Sequence, residues 1–295
     1  MKQVLCSTGA LTLKVKNVDS DFLKKISSKL DCDGFELMVD SSMYMCMDEL
    51  LKVIKDSGIN IPVIHSRKSL GESLSGIRVK QTLAGFDKYI YTEEEDHEIF
   101  ENGKAEFQKN LVVANAVGAE KMVLHLWNGI ASDQNVEKNL ERFGVLNDMA
   151  KKSGVTLMAE NVLCNTKDPL TNLSNLRKYC PYAHFVYDTK MAEFHGQTLK
   201  VFEPEYEWMI KDGHIKHLHI NDYDGGYMDW TNFNVLPIGK GHVDFDGFFS
   251  KLAGYDYNGD FTVEATSFKR ETGEIDFDSL NKCFADLRNL IKKYL

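Results

Sequence analysis

Closely spaced pairs of cysteines and long apolar runs are missing from this 295-residue sequence. No two cysteines have the C-x-x-C spacing of redox and zinc sites, and the N-terminal stretch MKQVLCSTGALTLKVK has no uninterrupted apolar core of signal-peptide length. No apolar run approaches the length that a membrane span requires. These absences predict a soluble, cytoplasmic protein with reduced cysteines, which are Cys6, Cys32, Cys46, Cys164, Cys180 and Cys283.

An excess of basic residues is absent as well. The sequence has 35 lysines and arginines against 44 aspartates and glutamates, which gives a net charge of −9. Acidic residues are spread along the chain, so neither nucleic acid nor a membrane is an expected partner. No linker rich in proline, glycine or serine divides the chain, and no internal repeat is present. The sequence therefore predicts one domain over residues 1–295.

Short apolar runs alternate with amphipathic segments along the whole chain. This alternation is typical of βα units around a parallel sheet. Eight runs qualify as strands: Val4–Ser7, Gly34–Val39, Pro62–His65, Lys121–Leu126, Val155–Asn161, His184–Asp188, Lys216–Asn221 and Asp260–Ala265. Eight such units predict an α/β fold, a closed (β/α)8 barrel of the TIM type, rather than an open sheet.

Residues 66–120 form a stretch that is too long for one helix between two strands. We expect an extended loop or a helical insertion there, lying over the barrel mouth. The acidic run TEEEDHE within this stretch is predicted to be a solvated face.

Six consecutive predicted strands end in an imidazole or a carboxylate. Because active sites of such barrels lie at the C-terminal strand ends, these side chains are expected to share one rim. They are His65, His125, Glu160, Asp188, His219 and Glu264. A single residue of this kind is usually hydrogen-bonded or solvated, but six in phase are difficult to explain as structural. Carboxylates packed together have raised pKa values or require a cation, so we expect a divalent metal site.

Three oxygen donors and one nitrogen donor are available in the set Glu160, Asp188, His219 and Glu264. This mixture favours one Mn²⁺ or Mg²⁺ ion, with Zn²⁺ or Co²⁺ as alternatives, and leaves positions open for substrate oxygens. The stretch HIKHLHIND contains two further histidines. His217 lies one inward step deeper and is interpreted as a core residue or a support for the ligands. His214 precedes the strand, far from the rim, and is interpreted as structural or exposed.

The strand-end motifs together resemble a known family. They are GFEL, IH, VLH, AEN, YDT and HLHIND at strands two to seven, then PIGKGHVDF, and VEAT at strand eight. Over nearly the whole chain the sequence is similar to the xylose-isomerase-like superfamily of sugar phosphate isomerases and epimerases, related to ketose 3-epimerases and endonuclease IV-type barrels. The resemblance implies that Glu160, Asp188, His219 and Glu264 hold one divalent ion, with Glu160 and Glu264 as the acid–base pair.

The chemistry that this resemblance implies is proton transfer beside a sugar carbonyl. A metal that chelates the carbonyl and a neighbouring hydroxyl oxygen stabilises the enediolate formed when a C–H proton leaves. One glutamate removes the proton, and the other or the same one returns it to the opposite face or to the neighbouring carbon. Loss of a β-hydroxyl from the same intermediate would instead make the protein a dehydratase.

The sequence departs from the family pattern where family members bind substrate. Met191 stands where a histidine is common, three residues after Asp188, and His195 lies one helical turn further on. An arginine that often follows the strand-seven histidine is absent from NDYDGGYMDW. Substrate recognition has therefore diverged, and ketose 3-epimerase activity in particular does not follow from the resemblance.

Several residues are candidates for substrate contacts, and each has a structural alternative. They are His65, His125, Trp127, Lys190, Lys240 and Glu36, with Arg67 and Lys68 as further cations near an anionic group. Trp127 is either a wall for the sugar or a buried aromatic, and Lys190 either replaces a lost contact or is solvated. Lys240, in the glycine-flanked PIGKGHV, either binds a phosphate or belongs to a plain turn.

Three classes of function fit these features. The first is an isomerase or epimerase acting on a small sugar, a sugar phosphate or a cyclitol. The second is an apurinic endonuclease of the same superfamily, which would use extra histidines such as His65 and His125, although an Asp-x-His pair near the glycine turn is missing. The third is a non-catalytic sugar-binding protein, which has no need of two bases. A homo-oligomer is compatible with the sequence, because members of the resembling family are often dimers or tetramers.

Overall fold

Eight parallel strands close into a barrel, which confirms the predicted (β/α)8 architecture. In this computed structural model the described residues are 2–12, 19–82, 85–127 and 132–295. The strands are β1 (Val4–Ser7), β2 (Gly34–Met38), β3 (Val63–His65), β4 (Ile77–Thr82), β5 (Gly85–Ile90), β6 (Lys121–Leu124), β7 (Thr156–Glu160), β8 (His184–Asp188), β9 (Ile215–His219) and β10 (Asp260–Val263). The order around the barrel is β1-β10-β9-β8-β7-β6-β3-β2, and β4 and β5 form a separate antiparallel hairpin.

Helices surround the barrel, and several begin at an aspartate cap. They are α1 (Thr8–Leu11), α2 (Ser20–Lys29), α3 (Met47–Ser57), α4 (Leu70–Leu74), α5 (Glu93–Val117), α6 (Val136–Lys152), α7 (Pro169–Leu176), α8 (Thr189–Phe194), α9 (Trp208–Lys211), α10 (Phe245–Leu252) and α11 (Phe277–Tyr294). Asp19, Asp168 and Asp276 each accept a hydrogen bond from a backbone N–H in the first turn of α2, α7 and α11. None of the described helices has the length and apolar character needed to cross a membrane.

Two apolar clusters divide the core. The larger cluster packs between strands and helices. The smaller one consists of fully buried residues contributed by five barrel strands, which are Leu5, Val63, Val123, Met158 and Val186. Apolar burial of this kind is the main stabilising contribution to such a fold. The smaller cluster forms a floor inside the barrel, and side chains at the next inward positions lie above it.

Several strands end earlier than the sequence predicted, and two side-chain amides lie at three of these ends. The backbone N–H of Glu264, just beyond β10, donates to Asn221 Oδ1 at 2.8 Å. The N–H of Asp188 donates to Asn161 Oδ1 at 2.6 Å. Because these amides take over hydrogen bonds at the ends of the strands, the predicted strands over 155–161, 216–221 and 260–265 are shortened at their C-terminal ends.

The stretch predicted to carry an insertion contains more than a loop or a helix. Between β3 and β6 the chain forms α4, the hairpin β4–β5 and the 25-residue helix α5. The register pairs Ile77 with Ile90 and Thr82 with Gly85. This hairpin was not predicted from the sequence.

The acidic run TEEEDHE begins α5 and is only partly solvated. Thr92 and Glu95 form a capping box, in which Thr92 Oγ1 accepts from the Glu95 N–H at 3.2 Å. Asp96 is 8% exposed and forms ion pairs with Lys138 at 2.5 Å and Arg142 at 2.6 Å. The prediction of a wholly solvated face was therefore wrong for Asp96, because its two cationic partners lie on α6, distant in sequence.

Candidate metal centre

The polar residues of the rim follow directly from strand periodicity. Two residues beyond the buried Val63, Val123, Met158 and Val186 come His65, His125, Glu160 and Asp188. In a strand, residues two apart face the same side, so each polar side chain lies above the apolar floor. All four polar residues are buried. The barrel therefore gathers imidazoles and carboxylates at its C-terminal mouth, where such folds carry their active sites.

One group of four residues has the geometry of a metal-ligand set. Glu160, Asp188, His219 and Glu264 each offer a ligand atom within 4.8 Å of the others. His219 Nδ1 is central, at 3.1 Å from Glu160 Oε1, 3.3 Å from Glu264 Oε2 and 3.8 Å from Asp188 Oδ2. The Glu264 side chain is 15% exposed, while the other three are almost fully buried. Glu264 is thus the member of the group most accessible from solvent.

The electrostatics of this group fit a divalent cation. Burial, together with the charges of Glu160 and Glu264, raises the pKa of Asp188 to about 7. Burial also opposes ionisation of Glu160, but the imidazoles of His125 and His219 outweigh it and hold the pKa of Glu160 well below its usual range. Three carboxylates and one imidazole, held close together in a buried pocket, form a donor set that a divalent ion would stabilise.

Two asparagines that were not singled out from the sequence hold the ligand residues in place, one through a carboxylate and one through the backbone. Asn221 Nδ2 donates to Asp188 Oδ2 at 2.8 Å, and Asn221 Oδ1 accepts from the Glu264 N–H. Asn161 Nδ2 donates to the Asp188 carbonyl at 3.0 Å. Asn161 directly follows Glu160, and Asn221 follows His219 by two residues. The AEN and IND motifs were therefore the available signal, because an amide beside a ligand is suited to hold it in place.

Glu36 lies beneath the ligand set rather than beside an open cleft. It is fully buried, and its Oε2 is 3.0 Å from His219 Nε2, 3.2 Å from His217 Nε2 and 3.0 Å from Thr262 Oγ1. The contact of Glu36 with substrate stays a prediction: strand neighbours engage its Oε2, whereas its buried Oε1 has no hydrogen-bond partner among the described residues. His217, also fully buried, lies where the sequence analysis predicted a supporting histidine.

His65 and His125 form a second group with Glu160. Glu160 Oε2 is 2.8 Å from His125 Nε2 and 3.5 Å from His65 Nε2, and all three side chains are buried. These three residues also offer ligand atoms within 4.8 Å of one another. Glu160 therefore belongs to both groups. His214, by contrast, lies before β9, where its Nδ1 is 2.8 Å from the Ala183 carbonyl.

Lys190 differs from its predicted setting. The strand ends at Asp188, and Lys190 lies in the first turn of α8, because Asp188 Oδ1 accepts from the Met191 N–H and begins the helix. The Lys190 side chain is 2% exposed, so it is not a solvated loop lysine. Its Nζ is 3.0 Å from the centre of the Phe233 ring. The predicted strand His184–Asp188 is thus confirmed with its bounds, and Lys190 belongs to the helix that follows it.

Trp127 is a buried support and not a wall of an open site. It is 0% exposed, and its Nε1 donates to the carbonyls of Val162 and Leu163 at 2.9 and 3.1 Å. The indole thereby fixes the chain that follows Glu160. Of the two readings of Trp127 in the sequence, the structure supports the buried aromatic.

Lys240 lies away from the ligand set. It is exposed and lines a cavity of about 570 Å³ between its own loop and α11. The glycine-flanked N–H groups next to Lys240 are already occupied by the buried carboxylate of Asp222, which accepts from Gly239, Gly241 and Val243 at 2.8 to 3.0 Å. The N–H groups that the predicted phosphate site at Lys240 would need are therefore already hydrogen-bonded to a side chain of the same protein.

An Asp222→Ala variant is expected to be destabilised by roughly 3 kcal/mol, because the carboxylate accepts four backbone hydrogen bonds that alanine cannot replace. Urea denaturation followed by circular dichroism measures this difference. Asp224→Ala, at an exposed position two residues away, serves as the matched control and should change stability little. Equal stability of both variants would contradict the role assigned to Asp222.

His195 does not replace the histidine that the family has at the Met191 position. Its Nε2 accepts a hydrogen bond from the Cys164 N–H at 3.1 Å, so the imidazole fixes the loop after β7. Met191 packs against the apolar core. Arg67 is likewise engaged outside the mouth, with its guanidinium 3.3 Å from Glu106 Oε1. None of these three residues adds a group to the ligand set.

Acid is expected to destabilise the protein through His195. Burial lowers the pKa of His195 to about 4, below the value of about 6.5 in an unfolded chain. The unfolded state therefore binds more protons between these values, and the His195 contribution is lost as the pH falls through this window. Urea denaturation at pH 7 and pH 5 measures the free energy of unfolding at each pH. Between pH 7 and pH 5 this free energy should fall less in His195→Gln than in wild type. In the control His97→Gln, at an exposed position, the free energy of unfolding should fall as much as in wild type. A fall in His195→Gln equal to that of wild type would refute the contribution assigned to His195.

Comparison with protein families matches residues 25–283 to a family described as xylose isomerase-like TIM barrel. No curated protein sequence matches the chain significantly.

Solved structures share the fold at low sequence identity. A D-tagatose 3-epimerase-like protein has a TM-score of 0.70 at 16% identity, over 100% of this chain and 98% of the other. The IOLI protein with a binding zinc atom has a TM-score of 0.70 at 15% identity, over 100% and 99%. D-allulose 3-epimerase from Methylomonas sp. has a TM-score of 0.65 at 15% identity, over 98% of each chain. These likenesses establish the shared fold.

Proposed function

The chain belongs to the xylose isomerase-like TIM barrel family, and from this premise we propose that it is a divalent-metal-dependent isomerase or epimerase of small sugars. The observation that carries the proposal is the convergence of Glu160, Asp188, His219 and Glu264 within 4.8 Å at the barrel mouth. The names of two similar structures, a D-tagatose 3-epimerase-like protein and a D-allulose 3-epimerase, agree with it.

Glu160, Asp188, His219 and Glu264 would hold the ion, with manganese or magnesium favoured by the oxygen-rich set and zinc or cobalt as alternatives. The ion would supply Lewis acidity to the carbonyl and hydroxyl oxygens of the sugar. Asn221 keeps Asp188 and Glu264 in position through its two side-chain hydrogen bonds. The apolar floor of the barrel excludes water from below.

Glu264 and Glu160 are the proposed proton-transfer pair. Glu264 is partly exposed, so its carboxylate can approach a C–H group of a sugar in the mouth. Glu160 is buried and contacts His125 Nε2 at 2.8 Å, so a proton at its Oε2 has an imidazole beside it. Transfer between the two glutamates through the sugar yields an epimer or a neighbouring-carbon isomer, depending on where the proton returns. A dehydratase would use the same first step.

The test is deuterium incorporation. Protein purified without chelator is analysed for metals by mass spectrometry and loaded with Mn²⁺. It is then incubated in D₂O with a panel of ketoses, their phosphate esters and cyclitols, and C–H exchange is followed by NMR. We expect about one ion per chain and exchange at one carbon beside a carbonyl. One bound ion with no exchange in any member of the panel would contradict the proposed activity and favour a sugar-binding protein.

A second candidate, a metal-dependent phosphodiesterase of the apurinic endonuclease type, rests on the group formed by His65, His125 and Glu160. This group lies beside the first and shares Glu160 with it, so the two together have ligands for a second ion. The net charge of −9 opposes binding to DNA. Two or more ions per chain, with cleavage of a duplex that contains an abasic site, would favour this candidate over the isomerase.

A further inference from the structure

Lys190 is a largely buried lysine whose ammonium has no polar partner among the residues that the structure describes. Its side chain is 2% exposed and follows Asp188 by two residues, in the first turn of α8. Among residues 2–12, 19–82, 85–127 and 132–295, no hydrogen-bond acceptor and no carboxylate within ion-pair distance contacts its Nζ. The contact that the ammonium does make is with the Phe233 ring, whose centre is 3.0 Å away.

Such an arrangement is costly for the folded protein. A lysine whose stem is buried and whose ammonium has no acceptor within the described protein loses solvation that one aromatic face restores only in part. A buried lysine is usually paired, and the two oxygens of the adjacent Asp188 are already used by the Met191 N–H and the Asn221 amide. The missing acceptors are therefore expected from a molecule that binds in the mouth.

The Lys190 ammonium belongs electrostatically to the candidate metal centre. The carboxylates of Asp188, Glu264 and Glu160 all act on it, as does the ammonium of Lys68 on the rim. A divalent ion and one ammonium together balance the three carboxylates, and the carboxylate of Glu36 adds a further negative charge beneath. An added phosphate or carboxylate would thus meet a centre that already has no positive charge to spare.

The usual places for a phosphate are also taken. The backbone N–H groups of the glycine-flanked loop after β9 bind Asp222, and Lys240 lines a cavity beside α11. Arg67 is turned toward Glu106. Lys68, whose ammonium acts electrostatically on Lys190, is exposed to solvent.

We propose that Lys190 donates hydrogen bonds to a hydroxyl or carbonyl oxygen of the substrate, and that this substrate is a neutral, unphosphorylated sugar. The inference rests on the proposed function, which left open whether the sugar carries a phosphate. Lys190 fills the recognition role that diverged when Met191 replaced the histidine of the resembling epimerases, but it does so from the adjacent helical position. A hydroxyl or carbonyl oxygen accepts from the ammonium without adding charge.

Binding to the metal-loaded protein tests this inference without a need for turnover. Isothermal titration calorimetry compares ketopentoses and ketohexoses with their phosphate esters, on wild type and on Lys190→Met. We expect at least one neutral ketose to bind wild type about tenfold or more tightly than its ester does, and Lys190→Met to bind that ketose about tenfold or more weakly. Methionine keeps the length and packing of the lysine stem but has no donor.

The melting temperature of Lys190→Met tests the same inference independently of sugar binding. If Lys190 is kept for ligand binding at a cost to folding, the metal-loaded Lys190→Met protein should melt at a higher temperature than wild type, with equal metal content by mass spectrometry. Lys29→Met is the matched control, because Lys29 also lies over an aromatic ring, that of Phe277 at 5.1 Å, but is exposed. This control should leave sugar binding unchanged.

Three outcomes would overturn the inference. They are tighter binding of the esters, unchanged ketose binding in Lys190→Met, and a lower melting temperature of that variant together with loss of metal, which marks a structural role. Binding of a neutral ketose that depends on Lys190, with no deuterium exchange, would instead leave the inference standing and contradict the proposed isomerase. The two failures are thereby distinguished.

Discussion

A Glu160→Gln variant is expected to exchange deuterium into the sugar at least ~1000-fold more slowly than wild type. Glutamine has nearly the same shape but cannot accept the proton, and its amide donates where a carboxylate only accepts. Glu160 Oε1 lies 3.1 Å from His219 Nδ1, and Oε2 lies 2.8 Å from His125 Nε2. The substitution therefore disturbs both groups of candidate ligands at once, which makes it the most damaging single exchange at the mouth.

Metal content separates the two roles proposed for Glu160. Mass spectrometry should find less ion in Glu160→Gln than in wild type, whereas rates measured at saturating Mn²⁺ report the loss of the proton acceptor alone. Glu271→Gln, an exposed glutamate in the connection after β10, is the matched control and should keep both metal and rate. If Glu160→Gln exchanged deuterium at the wild-type rate at saturating Mn²⁺, Glu160 would be excluded from proton transfer.

A Glu36→Gln variant is expected to bind Mn²⁺ about 10- to 100-fold more weakly, although Glu36 is not a proposed ligand. The Glu36 carboxylate is 3.0 Å from His219 Nε2. A proton on that nitrogen leaves the lone pair on Nδ1, the atom that faces Glu160, Asp188 and Glu264. A glutamine has a single acceptor and a competing donor, so it holds His219 in this orientation less firmly.

Competition with a fluorescent chelator measures the affinity of each variant. Asp260→Asn provides the matched control, because Asp260 lies at the opposite end of β10 and its carboxylate binds Lys121 Nζ at 2.8 Å and the Gln3 N–H at 2.9 Å. This control is expected to reduce stability but not Mn²⁺ affinity. An affinity loss in Glu36→Gln no larger than that in Asp260→Asn would refute the orienting role of Glu36.

Much of the fold and of the rim was predictable because strands have a strict period of two. Once Val63, Val123, Met158 and Val186 are recognised as inward-facing, the residues two positions later must share their face. The closed barrel then brings their ends together, which is how widely separated residues such as Glu160 and Glu264 could be grouped from the sequence.

Features decided by long-range hydrogen bonds were not predictable in the same way. Asp188 as the cap of α8 is a local signal that could have been recognised, but nothing local to Lys190 revealed that Phe233, from another connection, covers the ammonium. The same holds for Asp222, because three of its four backbone partners lie 17 to 21 residues further along the chain. The hairpin β4–β5 was missed because its strands pair with each other outside the barrel, so the repeat of strand and helix does not mark them.

The carboxylate of Asp222 holds its glycine-flanked loop in the way that a captured anion holds such loops in other barrels. In evolutionary terms, a side-chain carboxylate of the chain itself takes the place of a bound anion. Exchange of aspartate for glycine requires a single nucleotide change and would leave four converging N–H groups without an acceptor. The proposed preference for uncharged sugars would thus depend in part on this one carboxylate, which makes no hydrogen bond to any of the proposed metal ligands.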